Sequence, residues 1–147
     1  MKARQKIQFI VGFIIIITML SFQYGFAQNK RHRIDIMEKQ CIEQESNSNT
    51  IGMVNCINKA AAEWDKELNK NYHLLMSELS SNSQKKLRLS QRQWLKYRDK
   101  EFEFISTFYN ELQGSIYSVL FASDRREFIK KRALELKSYH DVIIGDF

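Results

Sequence analysis

QRQWLKYRD, residues 91–99, lies in a long segment without proline or glycine, and its reading decides the fold. Counted outward at helical spacing, Leu87, Gln91, Trp94, Arg98, Phe102, Ile105, Tyr109 and Leu112 recur every three or four residues, tracing one face of an α-helix. Two members of this apolar stripe, Gln91 and Arg98, are polar. On a buried face such groups need hydrogen-bonding partners inside the fold, or they mark a functional site.

The flanking segments repeat the pattern. Met53, Ile57, Ala60, Ala61, Trp64, Leu68, Tyr72, Leu75 and Leu79 predict a first long helix from about residue 50 to residue 79. A turn follows at residues 80–83, and Ser81 with Gln84 reads as a capping box that restarts the helix. The second long helix runs from about residue 82 to residue 112 and stops at Gln113 and Gly114. RIDIMEKQCIEQ, residues 33–44, predicts a short leading helix. Asp124 with Glu127 reads as another capping box, followed by the stripe Phe128, Ile129, Arg132, Leu136 and Tyr139. Beyond residue 27 there is no proline and only Gly52, Gly114 and Gly145, which suits helices better than strands joined by tight turns. The expected fold is all-α: a small antiparallel helical bundle with a central long helical hairpin, a C-terminal helix and a disulfide at its N-terminal end.

In an antiparallel hairpin, residues equidistant from the turn lie level. Asp65 then stands opposite Arg98, Leu68 opposite Leu95, Asn69 opposite Trp94 and Tyr72 opposite Gln91. Asp65, Asn69, Tyr72, Gln91 and Arg98 are therefore expected to form a structural polar cluster, with Asp65 and Arg98 as a charge-assisted pair.

Of the 147 residues, the first 27 read as a secretory leader. Lys2, Arg4 and Lys6 precede an apolar run of 16 residues, 7–22, followed by small residues at Gly25 and Ala27. That run is short of the roughly 20 residues a spanning helix needs, so a membrane is expected to matter only through this segment if it stays uncleaved. Residues 28–147 form one expected helical domain, exported to the periplasm or secreted. The formal charge of +6 falls to +3 without the leader, because three bases and no acids leave with it. Basic charge is then poor support for a nucleic-acid partner, and none is expected. The cluster NKRHR, residues 29–33, reads as a solvated tail.

Cys41 and Cys56 are an even pair in an oxidising compartment and read as a disulfide. In one unbroken helix they would stand about 22 Å apart, so the chain must reverse between them. Gln44, Glu45, Ser46, Asn47, Ser48, Asn49 and Thr50 have the composition of that reversal, and they form a candidate binding loop inside the ring. Nothing points to an enzyme: His32, His73 and His140 are scattered, no glycine-rich phosphate loop or nucleophile elbow is present, and no cofactor or metal is expected.

Cys56, WDKELNKNY (residues 64–72), QRQWLKYRD, Gly114 with Ser115, and RALEL (residues 132–136) together resemble the LprI-type lysozyme-inhibitor domain family. The most specific part is D-x-x-L-N-x-x-Y with Q-R-x-W-x-x-x-R-D at this separation. The resemblance implies a small exported helical domain that binds lysozyme or another cell-wall hydrolase. Members usually carry a further cysteine where Phe102 stands and its partner within residues 119–122; Phe102 and Phe121 are the expected apolar substitutes. An inhibitor needs a rigid projecting loop, and low ordering cost favours the cyclised one over the hairpin tip. Glu38, Glu43 and Glu45 are candidates for a local acidic face towards a basic hydrolase. The alternative is a general envelope interaction module without lysozyme activity.

Overall fold

The structure, a computed structural model, describes residues 32–146. The expected leader and residues 29–31 of the basic cluster lie outside the described residues. Four helices follow in order: α1 (Arg33–Ile42), α2 (Thr50–Glu78), α3 (Ser81–Asn110) and α4 (Ile116–Ile144), with one 3-10 turn at Glu45–Asn47 between α1 and α2.

Local chemistry sets each boundary. His32 caps α1, its Nδ1 accepting from the Ile34 N–H at 3.3 Å. His32 is thus not part of a free tail; its ring lies 4.3 Å from that of Trp64. Asn49 caps α2 by accepting from the Gly52 N–H at 2.9 Å. At the hairpin, the cap of α3 is Ser80, one residue earlier than the expected Ser81. Gln84 does not reach back to the cap; its amide donates to the Met76 and Leu79 carbonyls, both at 3.0 Å, and satisfies the end of α2. Between α3 and α4, Gly114 has φ +123°, a conformation side-chain-bearing residues rarely adopt. The chain turns there and α4 begins at Ile116, so Asp124 and Glu127 lie inside a helix and do not cap one. Asp124 instead accepts a hydrogen bond from the Tyr109 hydroxyl at 2.6 Å.

The tightest packing is between α2 and α4. They run parallel: Thr50 meets Ser115 at 3.2 Å near one end, and the buried Asn71 amide donates to the Ala133 carbonyl at 3.0 Å further along. Ala60 and Ala133 are fully buried and small enough to let the two backbones approach. Trp64, Leu68, Leu75, Ile129 and Leu136 fill the remaining space, and Ile34 of α1 closes it from above. α1 is strapped to α4 by Asp35–Lys130 at 2.8 Å and Glu38–Arg126 at 3.1 Å. α3 runs back along α4 and contributes a single buried residue, Gln91.

That residue explains the polar stripe. Gln91 Oε1 accepts from Arg132 Nε at 3.0 Å, both side chains being buried, and Arg132 also reaches Glu135 at 2.7 Å. The partner of Gln91 comes from α4 and not from Tyr72 of α2. The expected Asp65–Arg98 ion pair is likewise absent. Arg98 donates from Nε and Nη2 to the neighbouring Asp99 at 3.0 and 2.7 Å, while its guanidinium lies over Trp94 and Phe102. The physical reason is separation: the α2 and α3 backbones stay apart along the hairpin, so the adjacent carboxylate wins the arginine.

Gln91 and Arg132 should therefore be coupled. Gln91→Leu or Arg132→Met alone leaves a buried polar partner unpaired and should cost roughly 1–3 kcal/mol in urea unfolding. The double variant should cost less than the two single losses combined, by about 1 kcal/mol or more. Strictly additive losses would show that the contact contributes nothing.

Candidate functional site

Two surface features bring the expected site residues together. The first is the loop between α1 and α2. Cys41 and Cys56 form a disulfide with Cα atoms 5.7 Å apart, closing a ring across 15 positions. Inside it, the Asn47 amide donates to the Cys41 carbonyl at 2.9 Å and to Gln44 Oε1 at 3.3 Å. The Ser48 hydroxyl donates to the Glu45 carbonyl at 2.8 Å, and the Asn49 amide to that of Ser46 at 3.3 Å. Gly52 packs directly under Asn47: a Cβ there would stand 2.4 Å from the Asn47 Cα, so only glycine permits this approach. The loop is consequently fixed by one covalent and several polar braces. The Asn47 and Asn49 amides brace the loop, Thr50 bonds to the Ser115 hydroxyl outside it, and Glu45 and Ser46 remain exposed with no side-chain hydrogen bond among the described residues.

Charge around this loop is less acidic than expected. Glu38 is largely buried against Arg126, and Glu43 lies 3.5 Å from Lys39, so Glu45 alone keeps an unpaired carboxylate. Beside it is a feature the sequence reading missed. Ile51 is 74% exposed in the first turn of α2, at the rim of an apolar depression of about 530 Å³ bordered by Val54, Ser115 and Ser118. The available signal was an isoleucine off the stripe that starts at Met53 and Ile57, at a position where a polar residue would ordinarily face water.

The second feature is the space between α2 and α3. Asp65, Leu68, Asn69 and Tyr72 form one wall of a groove of about 320 Å³. The opposite wall is Arg88, Gln91, Arg92, Leu95 and Arg98. Asp65, Leu68 and Tyr72 thus share the groove with their expected level partners Arg98, Leu95 and Gln91, whereas Trp94, expected opposite Asn69, stacks on Phe128 of α4. The Asp65 carboxylate accepts from the Asn69 amide at 3.3 Å.

Phe102 and Phe121, the expected apolar substitutes for a cysteine pair, share a cation: the Arg125 guanidinium lies 5.0 Å from the Phe102 ring centroid and 5.4 Å from that of Phe121. Among the described residues no group of three His, Cys, Asp or Glu side chains is placed to hold a metal ion, and no helix is long and apolar enough to cross a membrane.

The profile of the family described as Lysozyme inhibitor LprI matches residues 41–136. No curated protein gives a match. A crystal structure of an uncharacterized protein from Burkholderia thailandensis superposes with a TM-score of 0.75 at 26% identity, covering 80% of this chain. The match spans 58% of that protein's chain, less than two thirds of its length.

Glu38, which helps seat α1 beneath the loop, carries a pH signature. Burial pushes its carboxyl above the ordinary glutamate value of 4.5, against the downward pull of Arg126. A folded-state value above the unfolded one means that its stabilising contribution is complete below pH 4.5 and is lost as the pH rises through the raised value. An NMR titration of the Glu38 carboxyl should give a midpoint above 4.5, and Arg126→Gln should raise it further. A midpoint at or below 4.5 would mean that the ion pair outweighs burial.

Proposed function

Because the chain belongs to the LprI lysozyme-inhibitor family, we propose that it is an exported, non-enzymatic binding domain that inhibits a cell-wall hydrolase of the lysozyme type. In this reading residues 1–27 are a cleaved leader, residues 28–147 are one domain, and the site of action is the periplasm or the extracellular space. Inhibition works by insertion: the loop from Gln44 to Thr50 enters the sugar-binding cleft of the hydrolase and blocks it.

The observation that carries this reading is the bracing of the loop. A segment already held by a disulfide, by Asn47 on the Cys41 carbonyl and by contact with Gly52 loses little conformational freedom on binding. Its outward groups suit the task. Glu45 supplies one carboxylate towards a basic enzyme, Ser46 a hydroxyl, and Ile51, just past the end of the loop, an apolar anchor. Asn47 and Asn49 brace the loop from within, so their replacement would test rigidity more than contact. A second reading, a general envelope interaction module, is favoured by Phe104 and Phe108 on α3, which are exposed with ring centroids 6.2 Å apart.

The purified protein should slow lysozyme hydrolysis of a cell-wall substrate at near-stoichiometric ratio. Glu45→Lys with Ile51→Ala should weaken inhibition at least about tenfold while leaving the melting temperature nearly unchanged, as expected of contact residues. Cys41→Ser with Cys56→Ser should lower stability by roughly 3 kcal/mol and weaken inhibition too, because the ring no longer holds the loop. Full inhibition by the Glu45/Ile51 variant would reject the loop as the inhibitory element; absence of any lysozyme binding by the parent protein would reject the inhibitor reading.

A further inference from the structure

We infer that the groove between α2 and α3 is a second binding site, one for an acidic saccharide: a sugar ring carrying an anionic substituent. Several charged groups there are unsatisfied. Arg88 and Arg92, one helical turn apart on α3, are exposed and make no ion pair among the described residues. Arg98 commits Nε and Nη2 to Asp99, leaving Nη1 for another partner. Three guanidiniums thus border a groove of about 320 Å³, a volume near the lower end of small-molecule sites. Guanidinium forks match carboxylate and phosphate oxygens in paired hydrogen bonds, so the α3 wall of the groove suits an anion.

The facing wall sets what else the ligand must carry. Asp65 on α2 has no cation partner among the described residues and accepts only from Asn69. A bare anion such as phosphate would meet this carboxylate with repulsion. A ligand with hydroxyl groups meets it with donors: Asp65 and the free Oδ1 of Asn69 accept, and the Tyr72 hydroxyl can donate or accept. Between the two walls, Leu68, Leu95 and the Tyr72 ring offer apolar surface to the C–H face of a sugar ring. An anion on the arginine wall, hydroxyls on the aspartate wall and apolar surface between them describe an acidic sugar better than a simple anion or a neutral glycan. The groove is on the hairpin, apart from the loop that joins α1 to α2, so this site acts whether or not that loop blocks a hydrolase.

The test is NMR titration of the protein with four probes: N-acetylmuramic acid, glucose 6-phosphate, N-acetylglucosamine and acetate. At least one acidic sugar should bind about tenfold or more tightly than N-acetylglucosamine and than acetate, with shifts at Asp65, Asn69, Tyr72 and the α3 arginines. Preference between the first two tells carboxylate from phosphate. Arg88→Gln with Arg92→Gln changes only exposed side chains and should reduce acidic-sugar binding to the level of the neutral sugar, with the melting temperature preserved. The inference is overturned if no probe shifts the groove, if acetate or N-acetylglucosamine binds as well as the acidic sugars, or if the double variant binds them undiminished.

Discussion

Close approach of α2 and α4 is the constraint from which the rest of the domain follows. Two parallel helices touch this closely only where the side chains between them are small, and Ala60 and Ala133 supply that, with the Asn71 amide crossing to the Ala133 carbonyl. Trp64 then has a sealed place beside them, covered by His32, by Lys130 over its ring, and by α1 above. Its indole N–H makes no hydrogen bond among the described residues, a cost of roughly 1–3 kcal/mol that the burial of so large a ring must exceed. α1 is too short to be stable alone. It stays because Asp35 and Glu38 tie it to α4 and because the disulfide ties it to α2.

α3 plays a different part. It is held through Gln91 on Arg132 and through the ring of Phe128, around which Trp94, Tyr97 and Phe102 gather at 5.4 to 5.7 Å between centroids. All of these contacts are to α4. The hairpin partner α2 is met at the turn, where Gln84 stitches the two helices, and across the groove. Further along, Phe102 of α3 and Phe121 of α4 lie around Arg125, whose buried Nε has no hydrogen-bond partner among the described residues. Cation–π attraction at this point constrains α3 less than a covalent bond would.

Much of this was legible in the sequence, for identifiable reasons. Helical periodicity located the four helices because a period of 3.6 is set by the backbone alone, and the α2 stripe through Ile57, Trp64, Leu68 and Leu75 is buried in the structure. The disulfide followed from two cysteines and a reversing segment. The register of the hairpin was also readable, since Asp65 and Arg98 border one groove. What periodicity does not encode is the distance between two helices that face each other. Nothing in the residues from Leu87 to Leu112 announces that α3 leans on α4 more than on α2, so Arg98 was given Asp65 when Asp99 was nearer, and Gln91 was given Tyr72 when Arg132 was available. The capping reading failed at Asp124 for a related reason: the motif is local, and the positive φ of Gly114 had already started the helix. At the loop, composition gave its place and not its inner bracing, which depends on Asn47 meeting Cys41 and Gly52 in space.

The central claim is that α2 and α4 form the rigid spine while α3 is the more loosely held wall of a groove. Native-state hydrogen exchange measures this directly, since it resolves the opening free energy of each helix. Amides around Trp64 in α2 and Ala133 in α4 should exchange only through global unfolding, and those of α3 through a lower-energy opening. Equal or greater protection of α3 than of α4 would contradict the account and make the hairpin of α2 and α3 the true core.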